Sequence, residues 1–294
     1  DAIGGVINVI TRNGGTTHAS VQAGAGEYGT RNADFHGAID GERANASLGL
    51  SWLDSDGFPT RAGDTERRGF RNRSATAGGT TELGGAELGL RAWHSNGTTE
   101  YSDFFVAPVD QDFENWAFAA AAAFEPTATW RSRVTIARAV DEIDQNQGDD
   151  FVATHRWTVD WQNDLALSDR HALTAGILWQ DEDADALSFG LPYAARTETR
   201  QGYLQDQVAL GKHRLLLAAG YTDHETFGGH FTWNAELGFA LGEATELVFG
   251  AGRAFRAPDA TDLYGFGGNP GLDPERSESY EASLRHRTAG GHSL

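Results

Sequence analysis

Cysteine and methionine are both absent from the 294 residues, lysine occurs once, at Lys212, and no apolar run approaches the length of a membrane helix. Without cysteine there is no disulfide scaffold and no thiolate zinc site, although an oxidising, extracytoplasmic compartment remains compatible with that composition. A chain that crosses a bilayer by helices needs runs of about 18 or more apolar residues. The longest stretch here, Trp116-Ala-Phe-Ala-Ala-Ala-Ala-Ala-Phe124, is about half that length and is closed by Glu125-Pro126. Positive charge is scarce: 23 Lys and Arg stand against 42 Asp and Glu, a formal charge of −19, which argues against a nucleic-acid partner. Aromatic residues at 11% are too many for a chain unable to build a folded core. With no initiator methionine and no signal peptide ahead of Asp1, the sequence reads as a mature or cut-out segment.

What the chain does have is alternation with period 2. Ala44, Ala46, Leu48, Leu50 and Trp52 share one face, opposite Asn45, Ser47, Gly49 and Ser51. Phe231, Trp233, Ala235, Leu237 and Phe239 repeat the pattern against Thr232, Asn234, Glu236, Gly238 and Ala240. Such segments recur near 17–26, 30–39, 44–53, 72–81, 86–94, 115–124, 129–140, 154–165, 171–181, 197–209, 213–222, 231–240, 245–255 and 277–287. Each is about ten residues, the length of a tilted membrane strand. Short turns (40–43, 82–85, 125–128, 168–170, 210–212, 241–244) alternate with long loops (54–71, 95–114, 141–153, 182–196, 223–230, 256–276).

This rhythm predicts an all-β, antiparallel, up-and-down transmembrane β-barrel with short periplasmic turns and long extracellular loops. A soluble β-sandwich also alternates, but its strands are usually five or six residues. The polar face here is Ser, Thr, Asn, Gln and Gly, as suits a wet lumen, and aromatics such as Trp52, Trp157, Trp179 and Trp233 recur near strand ends, as interfacial girdles require. No fixed-length repeat supports a propeller or solenoid.

Two stretches carry a resemblance. The first is Asp1-Ala-Ile-Gly-Gly-Val-Ile-Asn-Val-Ile-Thr11. The second runs from Phe255-Arg-Ala-Pro258 through Leu263-Tyr264 to Gly268-Asn-Pro-Gly-Leu-Asp-Pro-Glu-Arg-Ser277. Both resemble the TonB-dependent outer-membrane receptors, and the Leu-Tyr-Gly-Phe-x-Gly-Asn-Pro wording is most similar to the family's cobalamin receptors. The resemblance implies that residues 1–13 are the C-terminal end of a plug domain and 14–294 the N-terminal part of the barrel, roughly 14 of 22 strands. On that footing the chain is a fragment of a longer product.

Within these motifs Gly4, Gly5, Arg256, Pro258, Leu263, Tyr264, Asn269, Pro270, Pro274 and Glu275 read as structural. The prolines remove ladder donors and the glycines free the backbone, so the segment is expected to fold on itself rather than to pair.

Catalytic patterns are missing: there is neither a Gly-x-Ser-x-Gly elbow nor a phosphate-binding Gly-x-x-x-x-Gly-Lys loop, so no enzyme and no catalytic residue is expected. His224, Glu225 and His230 lack metalloprotease spacing and are read as polar residues of a Gly-rich hairpin loop. Asp181, Asp183 and Asp185 open like an EF-hand, but Ala186 and Pro192 stand where Gly and Glu are needed. The resemblance implies calcium on aspartates of an early extracellular loop, where this chain has Asp54, Asp56, Asp64 and Glu66. Arg67 and Arg68 depart from the acidic pattern there, and a solvated acidic loop is the preferred reading. Ligand contacts are expected from the loop aromatics Phe58, Tyr101, Phe104, Phe105, Tyr193, Tyr264 and Phe266.

What the family implies is import, in the bacterial outer membrane, of a scarce bulky nutrient, cobalamin first and a ferric siderophore second. The TonB complex would engage an N-terminal region, and outer-membrane lipid would surround the barrel. A passive porin or a soluble acidic β-protein is the alternative of another class.

Overall fold

The computed structural model describes residues 16–103 and 105–286. They form one fourteen-stranded antiparallel sheet in which every strand pairs with its neighbours in sequence. The strands are β1 (His18–Ala25), β2 (Arg31–Asp40), β3 (Ala44–Phe58), β4 (Arg68–Leu83), β5 (Ala86–Ser102), β6 (Pro108–Thr127) and β7 (Trp130–Gln145). They continue with β8 (Phe151–Ser168), β9 (His171–Ser188), β10 (Leu191–Leu210), β11 (His213–His224), β12 (Gly228–Ala240), β13 (Thr245–Arg256) and β14 (Glu275–His286). The one helix among the described residues, α1 (Ala260–Tyr264), lies between β13 and β14. Residues 1–13, with Gly4 and Gly5, and Phe104 lie outside the described residues.

The register sorts the side chains into two faces. Phe35, Leu50, Ala75, Leu90 and Phe118 belong to one, as the pairings Phe35↔Leu50, Leu50↔Ala75 and Leu90↔Ala120 show. Val21, Leu48, Leu50, Phe118, Ile136, Ile177, Leu217, Phe231 and Phe249 are all exposed. An apolar surface of this extent is tolerable only against lipid.

The opposite face carries polar bonds between neighbouring strands. Ser51 Oγ donates to Asp34 at 2.7 Å and Ser95 Oγ to Asn72 at 2.9 Å, while Tyr203 Oη on β10 reaches across β9 to Asp160 on β8 at 3.1 Å. Gly176 makes room there for the Tyr203 ring, since a Cβ would come within 2.4 Å of it.

All fourteen expected strands are present, but the long loops are a correction. Five of the six shrink, to 59–67, 103–107, 146–150, 189–190 and 225–227, because the strands run on past the membrane level. The expectation failed for a physical reason. Above the bilayer both faces meet water, so alternation disappears while backbone pairing continues. Thr98 Oγ1 donates to Asp112 at 2.6 Å and Tyr101 Oη to Gln145 at 2.6 Å in this region. The β9–β10 connection is a two-residue turn, Phe189-Gly190, with φ of 50° and 76°, the geometry of a type I′ hairpin.

Candidate functional site

Among the described residues only the segment 257–274 remains a long connection, and it does fold on itself. Asp259 caps α1 by accepting from Asp262 N, while the Asp262 side chain accepts from Asp259 N. Beyond the helix, Gly265 N donates to Thr261 O, Gly268 N to Gly265 O at 2.8 Å, and Asn269 N to Asp262 O at 2.9 Å. The Asn269 side chain accepts from Gly271 N at 2.9 Å, and Arg256 lies 3.7 Å from Asp262. The prolines need no ladder partner because the segment supplies its own bonds.

This segment lies over the polar face of β9–β11. Leu263, 6% exposed, is its buried anchor, and Phe255, 3% exposed, lies near the end of β13 that leads into it. Tyr193 Oη and Thr261 Oγ1 are 2.9 Å apart, and Phe189 and Phe266 meet with ring centroids at 4.8 Å. Beneath lies a cavity of about 570 Å³ lined by Arg156, Gln180, Glu182, Gln201, Thr222, His224, Leu263 and Tyr264, among others. That is within the size range of small-molecule sites.

Its polar groups are of two kinds. Arg156 Nε donates to Glu182 at 2.7 Å, a pair already satisfied. Thr222 is 2% exposed and its hydroxyl has no partner, so it offers an uncommitted bond to whatever fills the cavity. His224 accepts from Thr226 N through Nδ1 at 3.2 Å. Burial, and then His230 nearby, hold its pKa below the ordinary histidine value. His224 ends β11 and His230 lies near the start of β12 rather than in a loop, with Glu225 in the turn between them, and His230 is stacked on Phe255 at 4.2 Å.

The ligand aromatics do not gather at one place. Tyr193 and Tyr264 meet over the cavity with centroids at 6.5 Å, and Phe266 packs on Phe189, a residue the sequence pattern did not single out. Phe58 ends β3 against Tyr28 at 5.6 Å. Tyr101 lies within β5, hydrogen-bonded to Gln145, and Phe105 is 85% exposed in the β5–β6 turn. No sequence signal marked Phe189, since its role comes from a turn that places it beside residue 266.

The candidate calcium ligands do not converge; among the described residues no group of three or more acidic or histidine side chains is arranged to hold a metal. Arginines occupy them instead. Arg68 Nη2 lies 2.9 Å from Asp64 with both side chains 4% exposed, and its Nη1 lies 3.2 Å from Glu66. Ser102 Oγ donates to Asp64 at 2.6 Å, and this bond, the Glu66 amide and Arg68 together lower the Asp64 pKa. Asp56 faces Arg67 at 3.7 Å and Asp54 faces Arg71 at 3.9 Å. Asp181 is likewise held by Arg196 through two bonds of 2.9 and 3.0 Å.

Residues 11–294 match the family model described as TonB dependent receptor-like, beta-barrel. The chain is 29% identical over 306 residues to a protein of Photobacterium profundum named Vitamin B12 transporter BtuB, covering all of this chain and 49% of that one. Among solved structures, a variant of the ferric enterobactin receptor PfeA of Pseudomonas aeruginosa superposes with a TM-score of 0.82 at 16% identity, over 98% of this chain and 53% of that one. The siderophore receptor PirA of Pseudomonas aeruginosa gives 0.77 at 19%, over 95% and 55%. The chain thus spans about half the length of the relatives it matches. It belongs to the TonB-dependent receptors, and its fourteen strands are part of their outer-membrane β-barrel.

Proposed function

We propose that the protein containing this barrel segment imports a scarce, bulky nutrient, cobalamin, by binding it on the extracellular side and releasing it through a plug domain coupled to the TonB complex. Residues 1–13 would be the end of that plug. The observation that supports cobalamin is the whole-chain similarity to a protein named as a vitamin B12 transporter. It is reinforced by the cavity under the 257–274 segment, whose lining includes the aromatic rings of Phe227 and Tyr264 and the unpartnered Thr222 hydroxyl. Aromatic walls with a few placed polar groups suit a macrocycle. No step requires covalent chemistry.

The second reading, a ferric siderophore, draws on solved receptors that share the fold. Equilibrium binding of cyanocobalamin and of a ferric catecholate to the full-length protein separates the two. Saturable cobalamin binding with no competition by the ferric chelate is expected, and the reverse pattern would overturn the first reading.

A further inference from the structure

The polar face of β10–β13 differs from that of β2–β5. On β2–β5 the side chains spend their polar groups on one another: Asn32 and Ser51 donate to Asp34, Asn45 to Thr80 and Ser95 to Asn72. On β10–β13 the side-chain amides of Gln201, Gln205 and Asn234 make no hydrogen bond among the described residues. The register sets them among small neighbours, with Gln205 opposite Ala218, Ala218 opposite Asn234 and Asn234 opposite Gly252. Glycine leaves the amides their room. A Cβ at Gly220 would lie 3.4 Å from Gln201 Nε2, and one at Gly252 would lie 3.3 Å from Asn234 Nδ2.

These three amides line a cavity of about 520 Å³, which shares Gln201 with the cavity under the 257–274 segment. Thr222, whose hydroxyl has no partner, stands opposite Gln201 at the junction. At the periplasmic end the wall finishes in a ladder of ion pairs. Arg214 donates to Glu236 at 2.7 Å and, across β12, to Glu246 at 2.8 Å, and Arg285 lies 3.8 Å from Glu246. Gly238 is the notch for that crossing, since a Cβ there would lie 2.6 Å from Arg214 Cγ. Thr222 and Arg214 are eight residues apart on β11, about 27 Å along the strand. With strand tilt, that covers most of an outer-membrane apolar band of about 25 Å.

Passage needs partners that bind well enough to admit a ligand and weakly enough to release it. Unspent amides at successive levels meet that condition. Each both donates and accepts, so they suit a ligand that carries amides itself. The ladder below holds no unpaired charge to trap it, because Arg214 and the two glutamates neutralise one another.

We infer that the nutrient crosses the barrel along the polar wall of β10–β13, from the cavity under the 257–274 segment past Gln201, Gln205 and Asn234 to the Arg214 ladder. The path rests on the nutrient-import proposal above and adds a second binding site to it, for an amide-bearing ligand in transit.

The chain has no cysteine, so an introduced thiol is unique within it. The test places Asn234→Cys, or Thr76→Cys on the polar face of β4, in the full-length protein in energised cells. Each variant is treated with a small methanethiosulfonate reagent, and labelling is verified by mass. Surface binding and uptake of radiolabelled cyanocobalamin are measured before labelling, after it, and after reduction with dithiothreitol. Labelling of Asn234→Cys should cut uptake about tenfold, leave surface binding unchanged and be reversed by the reductant. Labelling of Thr76→Cys should change neither quantity. Because each protein folds before it is labelled, a loss that the reductant restores is not a folding defect. Failure of the thiol in Asn234→Cys to react, full uptake after its labelling, or an equal loss in Thr76→Cys would overturn the path while surface binding upholds the nutrient. A wild-type protein that binds no cyanocobalamin would refute the nutrient reading, and the path with it.

Discussion

Truncating Leu263 to alanine should release the 257–274 segment from the cavity while leaving the barrel intact. The helix α1 keeps its capping box and its internal bonds in this variant, since none involves the leucine side chain beyond its backbone. What is lost is the one buried aliphatic contact of the helix with the polar face of the sheet. A buried Leu→Ala change costs about 2–5 kcal/mol, and a segment free to relax falls toward the lower end, about 2–3 kcal/mol. At about 1.4 kcal/mol per tenfold, that raises the undocked population by roughly 30- to 150-fold. Amide hydrogen exchange of the full-length protein reads this directly: peptides covering 257–274 should lose protection by that factor while β9–β11 keep theirs. Unchanged exchange in the segment, or loss of protection throughout the sheet, would refute the docking argument.

Other perturbations test other parts of the structure. Gly57 has φ of +65°, and a Cβ there would lie 1.7 Å from the Arg68 carbonyl oxygen; Gly57→Ala should destabilise the β3–β4 end by about 2 kcal/mol or more, measured by denaturant unfolding in detergent. His224 has a depressed pKa, so its contribution is complete above the ordinary histidine range near pH 6.5 and is lost as pH falls below it. Stability at the extracellular end of β11 should therefore fall as pH drops below about 6.5, read by hydrogen exchange there, and His224→Gln should flatten the profile. His230, Glu182 and Glu225 bear on the same ring. Because Arg68 already occupies Asp64 and Glu66, millimolar calcium against chelator should shift the wild-type melting point by less than about 1 °C; a larger rise would show that calcium displaces the arginine.

The architecture was legible in the residues alone. Alternation between lipid and lumen is written position by position, as in Phe231–Phe239, because each side chain meets one solvent or the other and the period of the strand is two. The 257–274 segment was equally readable as self-contained, since its prolines cannot donate to a ladder.

Where the strands stop emerged only from the folded chain, because above the membrane both faces meet water and a paired stretch such as 95–102 is polar on both faces, with no apolar alternation to betray it. The same holds for Arg68 neutralising Asp64 and Glu66, and for Phe189 meeting Phe266 across 77 positions of chain. Those facts depend on register and on the folding back of distant segments, which composition and local spacing do not encode.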